Sequence, residues 1–236
     1  KGDAPRIALI VGGLGLSGAT TEAAMDKLPA DVSLAFAPYG DDVQADAARA
    51  RESGHETFLQ APMEPFDYPQ NNPGPHTLSV RASDKELESD LSWLMSRFAG
   101  YVGVVNFLGA RFTSNAAAMT PVMRELARRG VAFVDDGSSP QSLAGVVGAQ
   151  TGAVVARADV VIDSDPRPEA IEAALARLET IARAKGSALG FASAIPASVE
   201  QVGRFARGLE KRGIALAPAS ALLTRASGPQ AENRRP

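Results

Sequence analysis

The sequence predicts an α/β fold in which parallel strands curl into an irregular (β/α) barrel of one domain. Three observations carry this. Apolar strand-like runs alternate with helical patterns almost without interruption along the 236 residues. There are about eight such runs and about seven helical patterns, and strict alternation implies a parallel sheet with right-handed crossovers. No linker divides the chain. That many units in one domain of this length favour a closed or nearly closed barrel over an open sheet, with functional residues at the C-terminal ends of the strands.

The elements follow in order. Residues 7–11 are a continuous apolar run, as in a strand covered on both faces. Ser17 is placed to cap a helix over 17–28, which Pro29 stops. Residues 32–37 form a second strand, 42–53 an Ala/Arg-rich helix ending at Gly54, and 57–61 a third strand. The stretch 62–83 is a loop with prolines at 62, 65, 69, 73 and 75, and long ordered loops are usually functional. Helix 84–98, strand 102–107, helix 116–129 and strand 131–134 come next. A short helix around 141–148 leads to one strand over 154–162. Helix 169–184, strand 188–195, a helix capped by Ser198 and ending at Gly213, and strand 214–217 complete the pattern. Residues 6–224 thus constitute the barrel. The ends, 1–5 and 225–236, read as disordered, the latter being polar and without periodic apolar residues.

Composition removes several function classes. Net charge is −3 with both signs scattered, which gives no basis for nucleic-acid or anionic-membrane binding. No apolar run is long enough to span a bilayer. The absence of cysteine rules out disulfides, thiolate metal ligands and a cysteine nucleophile. The chain starts at Lys1 without an initiator methionine and reads as processed or cut, any targeting segment having been removed.

The strand-end rule yields the candidate residues. They are Gly12 and Gly13 after the first strand, Gln60 and Glu64 around the third, Asn106 and Arg111 around the fourth, Asp135 and Asp136 after the fifth, and Asp163 after the sixth. Ser193, Pro196 and Ser220 close the later strands, and the long loop adds Tyr68 and His76. Carboxylates at neighbouring strand ends can bind a divalent ion or act as a base. The alternative is turn chemistry at Asp136-Gly137-Ser138 and helix capping at Asp163. Glu64, held between Pro62 and Pro65, is either a reacting carboxylate or the partner of Arg111. His55 reads as a helix-end residue. With two histidines and no cysteine, an ordinary tetrahedral zinc site is hard to assemble.

Gly13-x-Gly15-x-x-Gly18 matches the dinucleotide-binding fingerprint. That reading requires an acidic residue at the end of the second strand, where Ala37-Pro38-Tyr39 stands instead.

Several stretches, IALIVGGLGLSG, LAFAPYG, GHETFLQAPMEPFDYPQNNPGPHTL, GYVGVVNFLGARFTS, RGVAFVDDGSSPQS, ADVVID, GFASAIP and RGIALAPASAL, together resemble the divergent polysaccharide deacetylase family of bacterial envelope proteins. The resemblance runs from about Arg6 to Leu223. It implies a polysaccharide-deacetylase (NodB-like) barrel and an exported, periplasmic or cell-envelope location. It also implies the chemistry of the ordinary deacetylases, in which an aspartate pair after strand one supplies a base and a metal ligand. Two histidines complete that metal site, and metal-bound water attacks the N-acetyl carbonyl. The family stretch reads Ile-Asp-Asp-Leu-Gly, and here those acid positions are Gly12 and Gly13. Histidines that some members carry near the Gln60 and Asn106 positions are also missing.

The expectation is therefore a deacetylase-like barrel with degraded metal-dependent activity, binding envelope carbohydrate, a peptidoglycan fragment or an envelope protein. Gln60, Asn106, Arg111, Asp136, Asp163 and Tyr68 are the expected ligand-binding residues. No cofactor is expected. The alternative is an active hydrolase with relocated chemistry, in which Asp135, Asp163 and His76 rebuild a zinc site and Glu64 serves as base.

Overall fold

A computed structural model describes residues 4–223. The expected disordered segments at 1–3 and 225–236, with residue 224 at the end of the expected barrel, lie outside them. Pairing begins at the residue before the first strand, where the Pro5 carbonyl accepts the Ala215 N–H.

The first strand, β1 (Arg6–Leu14), is longer than its apolar run. It continues through both glycines because Gly12 stays in register with Ser193 and Leu14 with Phe36. Then come α1 (Gly18–Lys27), capped by Ser17, β2 (Ser33–Phe36), α2 (Val43–Glu52) and β3 (Thr57–Met63). The chain proceeds to α3 (Asp84–Met95), which starts on a Ser83–Glu86 capping box, and β4 (Gly103–Leu108). A short turn of helix that the sequence did not announce, α4 (Ala110–Thr113), precedes α5 (Ala116–Arg129), β5 (Ala132–Asp135) and α6 (Ala144–Thr151).

The single strand expected over 154–162 is two. Its first part, β6 (Val155–Arg157), pairs with β5, and its second, β7 (Val160–Val161), pairs with the strand after α7 (Pro168–Lys185), β8 (Ser187–Ser193). Between them the Ala158 N–H donates to the Asp135 carbonyl and the Asp159 N–H to that of Leu189. One stretch of chain thus steps from one edge of the sheet to the other. The order is β6-β5-β4-β3-β2-β1-β8-β7, every pair parallel, so this step draws the two edges together into the irregular barrel.

The last helix, α8 (Pro196–Arg207), starts at Pro196 rather than on Ser198, whose hydroxyl donates to Asp163 instead. It ends at Arg207, and a 3-10 turn carries the chain to Gly213. The short β9 (Ala215–Leu216) adds to β1 off the main path.

Strand alternation divides the apolar residues into two cores. Ala8, Ile10, Ala35, Phe58, Val105, Val134, Leu189 and Phe191 fill the barrel interior. Ile7, Leu9, Val11, Leu34, Leu59, Val104 and Phe133 face the helices. Residues 219–222 form a 3-10 turn whose Ala219 joins the inner core. It is tied to Ser33 and Glu56 at the N-terminal ends of β2 and β3. Ser220, expected at a strand end facing the site, therefore sits at the opposite end of the barrel. His55 is buried, its Nδ1 2.8 Å from the Val32 carbonyl, and closes the same helix-to-strand turn.

Candidate functional site

The C-terminal ends of the strands open into a cleft of about 400 Å³. Gly12 and Gly13 of β1, Gln60 of β3, Phe107 of β4, Asp136 after β5, Asp163 after β7 and Ser193 of β8 line it. A smaller apolar slot of about 80 Å³ adjoins it, sharing Gly13, Gln60 and Phe107 and adding Leu16, Tyr39 and Pro73.

Gln60 is the floor of the cleft. It lies two positions beyond the inward-facing Phe58, so strand parity turns it into the barrel. Its Oε1 accepts the Gly13 N–H at 2.6 Å, and the residue is only 4% exposed. A side chain on Gly12 would begin 2.7 Å from the Phe191 ring and 2.8 Å from Gln60 Nε2. Gly13 has φ +85°, a backbone region that suits glycine. The two positions that carry acids in the resembling family are thus sterically closed at one and left-handed at the other.

Asp136 and Asp163 reach the cleft from opposite sides of the β6–β7 step. Asp136 Oδ1 accepts from the N–H (2.9 Å) and hydroxyl (2.7 Å) of Ser138. Burial pushes its carboxyl above the ordinary range, against the lowering by Ser138 and Asn106 and with a small raising contribution from Asp135. Asp163 Oδ2 accepts the Ser193 N–H and the Ser198 hydroxyl, each at 2.7 Å, tying β7 to β8 and α8.

The remaining candidates are elsewhere. Asn106 is buried beneath the cleft, taking the Asp136 N–H on Oδ1 and donating from Nδ2 to the Leu108 carbonyl, both at 2.8 Å. It positions Asp136 without lining the cleft. Asp135 faces the outer side of β5, ion-paired to Arg157 at 3.1 Å and accepting the Gly137 N–H. Glu64, 1% exposed, pairs with Arg111 at 3.1 Å and accepts from the Ser79 hydroxyl and the Val80 N–H. It fastens the long loop to β3 and α4. His76 stacks on Trp93 with centroids 4.0 Å apart and sits 2.8 Å from Asp90, away from the cleft. Tyr68 lines neither cavity; Tyr39 does.

Asp135, Asp163 and His76 are therefore not brought together. Among the described residues no group of three or more histidine, aspartate or glutamate side chains is placed to hold a metal ion. The donor set at the cleft does not fit the metal site that the family resemblance implies. The glycine fingerprint is not a phosphate cradle either. Gly13 N–H is taken by Gln60, and Gly15 N–H by Thr21 Oγ1 at 2.9 Å.

The lining residues that sequence reasoning missed include the polar Ser164 at the rim and, chiefly, Leu16, Tyr39, Phe107 and Phe191. Phe191 was accessible from alternation, being paired to the inward-facing Ile10. Leu16 and Tyr39 reach the slot through turns, where no periodicity marks them.

Comparison with known proteins gives the family and the fold. The uncharacterized protein YibQ of Escherichia coli (strain K12) is 28% identical over 196 residues, 83% of this chain and 60% of YibQ. The chain thus spans less than two thirds of that relative. The crystal structure of the uncharacterized protein ATU2773 from Agrobacterium tumefaciens C58 superposes with a TM-score of 0.91 at 41% identity, covering 94% of this chain and 91% of that one. The Bacillus anthracis CE4 family pseudoenzyme BA3943 shares the fold, with a TM-score of 0.51 at 10% identity over 95% of this chain and 67% of that one. Residues 9–223 match the family described as divergent polysaccharide deacetylase, and the chain belongs to that family.

Proposed function

We propose that this protein is a deacetylase-fold binder of cell-envelope carbohydrate, exported to the periplasm or envelope, in which metal-dependent hydrolysis has been lost. One observation carries the reading. The space above Gly12 is taken by Gln60 and Phe191, and Gly13 has open space but a left-handed backbone and an N–H held by Gln60, so neither position suits the acid that the family resemblance implies. What is left is an open cleft with hydrogen-bonding groups at its floor and aromatic rings at its walls, the usual make-up of a ligand site. Gln60, Asp136, Asp163 and Ser193 supply contacts to sugar hydroxyls, and Phe107 a ring face. Asn106 holds Asp136 in place through the Asp136 N–H, while Glu64 and Arg111 fasten the long loop beside the site.

The test combines binding and turnover. The purified chain, incubated with zinc and dialysed, is assayed for bound metal, for acetate release from chitooligosaccharides and peptidoglycan fragments, and for sugar binding by calorimetry. Sugar binding without stoichiometric metal or acetate release is expected. Zinc-dependent acetate release abolished by Asp135→Ala would instead establish the hydrolase with relocated ligands. The Gly12→Asp, Gly13→Asp double variant is expected not to take up zinc, because position 12 lacks room for a side chain and position 13 has a left-handed backbone.

A further inference from the structure

The cleft carries ionisable groups of one sign only. Asp136 and Asp163 line it, and among the described residues no lysine or arginine lines the cleft or the adjoining slot. Arg111 and Arg157 are held by Glu64 and Asp135 instead. Each cleft carboxyl commits one oxygen internally, Asp136 Oδ1 to Ser138 and Asp163 Oδ2 to Ser193 and Ser198. The second oxygen of Asp163 has no hydrogen-bond partner among the described residues and is not sealed from solvent, while the Asp136 carboxyl, which also meets the Asn106 side chain, lines the cleft. An anionic ligand, whether phosphate, uronate or carboxylate, would meet uncompensated repulsion here.

Gln60 adds an independent mark of a ligand. The side chain is almost fully buried and its Oε1 is used by Gly13. Its Nε2 has no partner among the described residues, and it is not sealed from the cleft. A donor at the bottom of a cavity that no protein group takes is free for a ligand. It is satisfied when a ligand brings an acceptor such as a sugar hydroxyl or ring oxygen.

We propose that the cleft recognises an amino sugar with a free, protonated amine, the deacetylated form of an N-acetyl sugar. This rests on the carbohydrate-binding reading above. The ammonium meets the uncommitted oxygen of Asp163 and the negative charge of Asp136 across the cleft, and Gln60 Nε2 donates to a neighbouring oxygen of the same sugar unit. Charge-assisted bonds of this kind are about twice as strong as neutral ones. Acetylating the amine removes both its charge and two of its donors. The protein would then read the product of the reaction that active members of the fold carry out.

The experiment is calorimetric titration of the full chain with three ligands of equal length: a glucosamine tetramer, an N-acetylglucosamine tetramer and cellotetraose, at a pH where the amine is protonated. The glucosamine tetramer is expected to bind about tenfold more tightly than the other two, and less tightly as salt is raised. Asp136→Asn and Asp163→Asn, which keep the internal acceptor, are each expected to weaken it about tenfold. Ser164→Lys, a change at an exposed residue lining the rim, is expected to weaken it without touching either carboxyl. Equal or tighter binding of the N-acetyl tetramer overturns this inference and leaves the carbohydrate-binding reading in place. So does glucosamine binding indifferent to all three variants. Failure of every ligand to bind overturns both.

Discussion

Gln60 Oε1 accepts the Gly13 N–H at 2.6 Å, so a side chain from β3 spans the floor of the cleft to the end of β1. The pair gives this barrel a floor at the positions where the family resemblance implies an acid pair and glycines stand. The amide replaces the lost side chains as the group that defines the floor. It brings a neutral donor and acceptor in place of negative charge.

The two glycines should respond differently to substitution. Gly12→Ala drives a methyl against Phe191 and Gln60 and is expected to cost about 1–3 kcal/mol by overpacking. Gly13→Ala has open space but a left-handed backbone, and is expected to cost about 1–2 kcal/mol. Adding Gln60→Ala should recover part of the first loss and none of the second. Denaturant unfolding of the singles and doubles measures this, and equal recovery at both positions would contradict the packing argument.

Glu64 should behave as a structural residue. Its carboxylate is buried and meets Arg111, the Ser79 hydroxyl and the Val80 N–H. Glu64→Ala strands these partners and is expected to destabilise by about 3–5 kcal/mol. Arg111→Ala leaves two donors on the carboxylate and is expected to cost less, about 1–3 kcal/mol. If either variant lost ligand binding while melting like the parent chain, a direct role at the site would replace this one.

His76 reports on the long loop. It stacks on Trp93, the sole tryptophan in the chain, while Tyr39 donates its hydroxyl to the Pro75 carbonyl at 2.6 Å. His76→Ala removes the stacking partner and the contact to Asp90. The expected outcome is a red shift of Trp93 emission as water reaches the ring, with melting lowered by about 1–2 kcal/mol of stability. An unchanged spectrum would mean that the loop is held by Tyr39 and Glu64 alone.

Asp136 should make stability pH-dependent with a definite sign. Burial raises its carboxyl pKa in the folded state above the ordinary carboxylate value. The folded state therefore holds the proton more tightly than the unfolded one. Its favourable contribution is complete below the ordinary value and is lost as pH rises through the raised one. Asp136→Asn, neutral at every pH and still an acceptor for Ser138, should melt higher than the parent at neutral pH. The gap should close in acid below the ordinary value. A constant gap across that range would show that the effect is not the carboxyl's titration.

The sequence by itself determined the architecture. Continuous apolar runs such as that ending at Val11 specify strands covered on both faces, and their alternation with capped helices specifies a parallel barrel. It also pointed to the strand ends, where a barrel opens, and the family resemblance marked Gly12 and Gly13 as the positions where an acid pair would stand. Tertiary structure alone decided which strand-end residues share the cleft. Gln60 and Asp136 face inward, Asp135 faces outward into an ion pair with Arg157, and Glu64, beyond the end of β3, is taken by Arg111. Their direction depends on strand parity and on where each strand stops. The break within 154–162 was equally hidden. Its two halves have one apolar character, and only the distance between the edges of a closing sheet requires the chain to leave β5 and join β8. His76 was separated from the acids for the same kind of reason. A rigid proline loop looks the same in sequence whether it folds over a cleft or, as here, against the flank of α3.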